Sequence, residues 1–157
     1  MVPGSFRCPA PNKRRQVITM FLEILKDEQK DLFLQLAVIA AKENGYVDEA
    51  EDALLTKFAN EMNIAPKTEA TLSLDEVIDK LASSCDKREK KIVLFEAAGI
   101  MNSDGEYSDA EFDFLKKIAA KFEISEEELG AMMGLVSDYV ALFNEIIITV
   151  IDDENEI

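Results

Sequence analysis

The chain has 157 residues, a formal net charge of −15, no histidine and two cysteines. Such an acidic surface excludes nucleic acid as the main partner, because phosphate would be repelled. The lack of histidine removes the Ser-His-Asp triad, the commonest general base and the usual zinc or haem ligand. Cys8 and Cys85 have neither CxxC nor zinc spacing, so reduced thiols in a cytoplasmic protein are expected.

The charge is unevenly placed. Residues 1–30 carry six bases against three acids, and residues 31–157 carry eleven against twenty-nine. The acidic body suits divalent cations, basic protein partners or simple solubility. Three of the four prolines fall in residues 1–11, which read as an N-terminal arm. Scarce glycine and proline after that favour long helices, and residues 12–151 are expected to form one all-α domain of about seven helices.

Asn12 is placed to cap an amphipathic helix reaching about Asp27; Glu23 interrupts its apolar run, so it reads as neither signal peptide nor membrane span. No other stretch reads as an integral membrane segment. Leu32–Lys42 is apolar on most faces and should lie in the core. The turn Glu43-Asn44-Gly45 follows, and Asp48 and Glu51 form a capping box that opens a second helix. Its buried stripe is Leu54, Leu55, Phe58, Ala59 and Met62, a helical spacing. Residues 65–71 read as a loop, Ser73 and Glu76 as the box opening a third helix, and Asp86 as the cap of the helix that contains Ile92–Met101.

The pattern then repeats. At an offset of 60, nine identities fall in the 31 positions from 34 to 64, among them Gly45/Gly105, Glu51/Glu111, Leu55/Leu115 and Ile64/Ile124. Ser103-Asp104-Gly105 is the second turn, Ser108 and Glu111 are the second box, and Phe114, Leu115, Ile118, Ala119 and Phe122 are the second stripe. This is an internal duplication of a helix–loop–helix unit, and the copies are expected to be related by a pseudo-two-fold axis. Ser125 and Glu128 open the last helical region, which Gly130 and Gly134 are expected to bend or break. Residues 146–151 are β-branched and fit a strand or a buried helix. Residues 152–157 form an acidic tail.

The second turn holds the residues closest to a chemistry. With Gly105 on the glycine of a calcium-binding EF-hand loop, Asn102, Asp104 and Glu111 fall on ligand positions, but the first ligand position is Ile100. The candidate metal ligands are therefore Asp104 and Glu111, with Glu51 and Asn44 from the first copy. Asp109 and Glu106 add carboxylates, hard donors suited to calcium, magnesium or manganese. Weighed against this, Gly105, Ser108 and Glu111 also account for themselves as helix caps. Lys13-Arg14-Arg15 offers a basic face, and Met132-Met133 with Leu135 offers an adaptable patch or core packing. No nucleophile–base pair or phosphate-cradling loop is visible.

The run Ala97-Ala98-Gly99-Ile100-Met101-Asn102-Ser103-Asp104-Gly105-Glu106-Tyr107-Ser108-Asp109-Ala110-Glu111, with Lys121-Phe122-Glu123-Ile124-Ser125, resembles the tellurite-resistance TerB-like family over residues 30–145. The first copy departs from the pattern at Asn44, Tyr46 and Asp48. The resemblance implies an all-helical, internally symmetric domain, a role in the response to tellurite and other chemical stress, and association with membrane-linked or metal-sensing complexes. It implies an acidic metal site at Asp104 and Glu111, extended to Asn44 and Glu51, and supplies no catalytic activity. The expected function is a non-enzymatic binding or scaffold domain with protein partners, for which a homo-oligomer is also open. The alternatives are a degenerate EF-hand-like calcium binder and an enzyme of unrecognised type.

Residues 1–11 hold few anchoring apolar side chains. Their deletion should shift Tm by less than about 3 °C, within the effect of a fraction of a kcal/mol on a domain of this size. A thermal melt followed by circular dichroism checks this.

Overall fold

A computed structural model of the chain describes residues 20–45, 48–67, 69–102 and 107–151. Among these residues there are six α-helices, one 3-10 turn and no strand. The helices are α1 (Asp27–Glu43), α2 (Asp48–Met62), α3 (Leu74–Ser84), α4 (Lys87–Met101), α5 (Asp109–Lys121) and α6 (Glu126–Val150).

Each helix starts where the local chemistry places it. Ser73 caps α3, Asp86 caps α4 and Ser108 caps α5, each accepting from the backbone N–H three residues on; Glu76, Glu89 and Glu111 reach back to the cap N–H. Ser125 caps α6 through the Glu128 N–H. α1 and α4 are the central helices. α1 packs on α2, α3 and α4, and α4 on α5 and α6. Both stripes expected from the helical spacing are buried, Leu54, Leu55, Phe58, Ala59 and Met62 on α2 and Phe114, Leu115, Ile118 and Ala119 on α5, with Phe122 just beyond it.

The two halves share their endings as well as their stripes. Asn63 and Glu123, 60 positions apart, both take φ 59°, the left-handed conformation that ends a helix. The Ile64 N–H then bonds to the Ala59 carbonyl and the Ile124 N–H to that of Ala119, both at 2.9 Å.

Three expectations need correction. Of the helix expected from Asn12 to about Asp27, residues 12–19 lie outside the described residues; the remainder is a 3-10 turn, Leu22–Ile24, followed by an extended Leu25. Leu22 and Leu25 both enter the core, and the Met20 and Phe21 N–H groups that open the turn are taken by Glu96 rather than by a helix. The last helix is unbroken from Glu126 to Val150, so 146–150 is helix rather than strand. Gly130 and Gly134 both face open space and do not break it. Finally, α6 is long and apolar enough, by length and composition, to cross a membrane, contrary to the reading that no stretch has that character; only 11% of its apolar window is buried.

Glu96 is a buried acid inside α4. One carboxylate oxygen accepts from the Met20 and Phe21 N–H groups at 2.9 and 2.8 Å, tying the chain entering the 3-10 turn to the central helix. Its other oxygen is buried and finds no partner among the described residues. Burial pushes its pKa up to about 7, against the opposing pull of the two N–H donors. The folded state therefore holds this proton more tightly than the unfolded chain between about pH 4.5 and 7. Stability from this group is largest at the acid end of that window, falls as pH rises through it, and is level above it. Glu96→Gln keeps an acceptor for the two N–H groups and removes the titration. Chemical denaturation from pH 5 to 8 should show a decline of up to about 3 kcal/mol in the wild type and a flatter profile in the variant.

Candidate metal site

The C-terminal end of α4 is held by polar side chains from three elements. Asn44, the C-cap of α1, donates from its side-chain amide to the Ile100 carbonyl at 3.0 Å. This bond fastens the first turn to the helix that leads into the second. Asn102, the C-cap of α4, is fully buried and donates to Ser137 Oγ of α6 at 2.7 Å. The Tyr107 hydroxyl donates back to the Ala98 carbonyl at 3.0 Å. Burial raises the Tyr107 phenol to about 12, opposed by a hydrogen bond from Asn102 and reinforced by the Glu111 charge.

Of the proposed metal ligands, Glu111 is engaged as a cap. Its side chain accepts from the Ser108 N–H at 2.7 Å, and its own N–H donates to Ser108 Oγ at 3.2 Å. Asn44 is placed beside the end of α4. Asp104 and Glu106, and the side chain of Glu51, lie outside the described residues. Asp109 is exposed at the first turn of α5. Among the described residues no group of three or more His, Cys, Asp or Glu side chains is arranged to hold a metal ion. Ile100, which occupies the first ligand position of an EF-hand overlay, is fully buried in the core. Its side chain offers no donor, so that overlay lacks its first ligand.

Sequence reasoning overlooked the amide and carboxylate network of the central helices. Gln29 of α1 donates to the Ser84 carbonyl at 2.7 Å and to Glu89 of α4 at 3.0 Å. Gln35 accepts from the Thr71 and Leu72 N–H groups, holding the loop before α3. The offset of 60 between Gln29 and Glu89 was a usable signal, because it extends the repeat upstream of position 34. Lys13-Arg14-Arg15 and Cys8 lie outside the described residues. Cys85 is buried, and burial pushes its thiol up to about 11, far from a reactive thiolate. Met132 and Met133 are half-buried against the core.

A family model described as tellurite resistance protein TerB matches residues 39–133, more than half of the chain. The chain belongs to the TerB family. The TerB match takes in the last turns of α1, all of α2 to α5 and the clipped turns between them, and it ends inside α6. The rest of α6, from Gly134 on, lies beyond the TerB match. No curated protein and no solved structure matches the chain.

Glu111→Ala should destabilise the fold by about 0.5–2 kcal/mol, since it removes one half of the reciprocal cap. Glu111→Gln, which still accepts from the Ser108 N–H, should stay close to wild type. Urea unfolding of both variants separates the capping role from any role of the charge.

Proposed function

We propose that this TerB-family chain is a cytoplasmic, stress-related binding or scaffold domain without catalytic activity, and that its second turn binds a divalent cation weakly. The observation that carries the reading is the Asn44–Ile100 bond, which ties the residue that caps α1 to the last turn of α4, the helix from which the second turn departs. Carboxylates of the second turn, Asp104 and Glu111, would supply charge; Asn44, and Glu51 from the first copy, would add neutral or shared ligands. The excess of acids in the chain gives a cation a further reason to bind, by relieving repulsion.

The two units, α1–α2 and α4–α5, are read as copies related by a pseudo-two-fold axis. Support comes from the matching left-handed residues Asn63 and Glu123 and from the pairing of Gln29 with Glu89, 60 positions on. The non-enzymatic reading is supported by the lack of histidine and by the raised thiol of Cys85. The family description, tellurite resistance protein, supports the tellurite part of the reading, and the acidic body favours a basic protein surface as partner.

Isothermal titration with calcium, magnesium and manganese tests the cation site. A Kd on the order of 10⁻⁴–10⁻³ M is expected, as in the loosest oxygen-ligand modules. The Asp104→Asn/Glu111→Gln double variant keeps the cap and should lose the binding. Equal responses from wild type and variant would reduce the turn to a capping device.

A further inference from the structure

We infer that the second half of α6 is a self-association helix, and that its partner is a second copy of this chain. Among the described residues, α6 is fastened to the body up to Val140: Leu129, Val136 and Val140 are buried, Lys91 pairs with Glu128 at 3.0 Å, and Asn102 holds Ser137. α4 ends at Met101, so the residues of α6 beyond Val140 continue without that neighbour. They are apolar and solvent-facing: Leu142 is 55% exposed, Ile146 48% and Val150 65%.

The exposed residues follow a rule. Leu135, Tyr139, Leu142 and Ile146 are spaced four, three and four apart, and the half-buried Met132, three residues before Leu135, continues the spacing onto the body. This is the seam of a two-helix coiled coil, and it runs beside the buried stripe rather than within it. The Tyr139 and Phe143 rings are already stacked on the surface, with centroids 6.3 Å apart. A seam from Met132 to Val150 is ~28 Å long at 1.5 Å per residue. Two such helices in contact bury on the order of 1,000 Å², the lower bound for a specific interface. An exposed apolar stripe of this size is uncommon on a monomer.

Charge sets the orientation. Asp138 and Glu145 precede Tyr139 and Ile146, on one flank of the seam, while Phe143 and Val150 form the other flank. In a parallel pair each acid faces an apolar residue of the partner copy. In an antiparallel pair Asp138 faces Glu145, and like charges oppose. A bilayer fits less well. The ten residues 141–150 span ~15 Å, half of a hydrocarbon core of about 30 Å. The anchored half cannot follow without unpacking the body, and Asp138 and Glu145 would have to enter lipid.

Sedimentation equilibrium on the full chain tests the proposal. The wild type should shift from 17.6 kDa toward twice that mass with a Kd in the range of ~10–100 µM. Because each copy carries a charge of −15, raising NaCl from about 0.05 to 0.5 M should tighten association several-fold. Leu142→Glu and Ile146→Glu replace exposed residues, so they should melt like the wild type and raise Kd by at least about tenfold. In a Cys8→Ser background, Thr149→Cys lies on the seam and should form an intermolecular disulfide readily if the pair is parallel. A wild type that stays monomeric up to ~1 mM, or variants that associate equally well, would overturn the proposal. So would flotation of the wild type with phosphatidylcholine vesicles that is lost in Leu142→Glu without any change in mass in free solution.

Discussion

The fold depends on one buried contact, the hydrogen bond from Gln29 of α1 to Glu89 of α4. Both residues sit in the first turn of a central helix, and both also cap their own helix: Gln29 accepts from the Lys26 N–H, Glu89 from that of Asp86. The Asp86 N–H is the main reason Glu89 stays ionised, with its carboxyl held below the usual range; Gln29 and Lys26 add to it. A carboxylate with only 5% exposure would otherwise be costly. Here its lone pairs are shared among a backbone donor, an amide and an ammonium, so two helix starts are locked together at one point. Every other helix is placed relative to that pair.

The same device recurs at each irregular segment. Polar side chains from the central helices or their caps reach out and hold backbone that has no ladder of its own: Gln35 the loop before α3, Glu96 the 3-10 turn, and Gln29 the end of α3. Asn44 reaches across from the first turn to the end of α4. Outer contacts are of a different kind. Lys117–Asp75 and Lys121–Asp79 link α5 to α3 through exposed ion pairs, which contribute little against solvent screening. Connections are thus held from within, where a hydrogen bond is hard to replace with water.

Local chemistry made much of this legible in the sequence. Ser73, Asp86, Ser108 and Ser125 announced four helix starts because capping is a short-range pattern that needs no knowledge of the fold. The stripes on α2 and α5 were legible for the same reason. What escaped depends on distant partners. Nothing near Met20 says that its N–H will meet Glu96, 76 positions away, and so the chain was read as helix where it turns. Glu96 was not singled out, because no local pattern marks it. Gly130 and Gly134 were read as breaks, yet helix-favouring neighbours on both sides and an anchored face outweigh about 1 kcal/mol per glycine. At the candidate metal site the cap of Glu111 was legible, whereas the clip from Asn44 to the Ile100 carbonyl at the end of α4 was not.

The 2.7 Å bond from Asn102 to Ser137 has a consequence of its own. Asn102 ends α4 and Ser137 lies in the stem of α6, so the contact registers the stem against the end of the central helix. The bond uses only the nitrogen side of the amide, since the Asn102 oxygen is buried with no partner among the described residues. A slip of one residue along α6 would turn Ser137 by about 100° about the helix axis and leave the amide without its acceptor. The stem is thus keyed to the body in rotation as well as in depth.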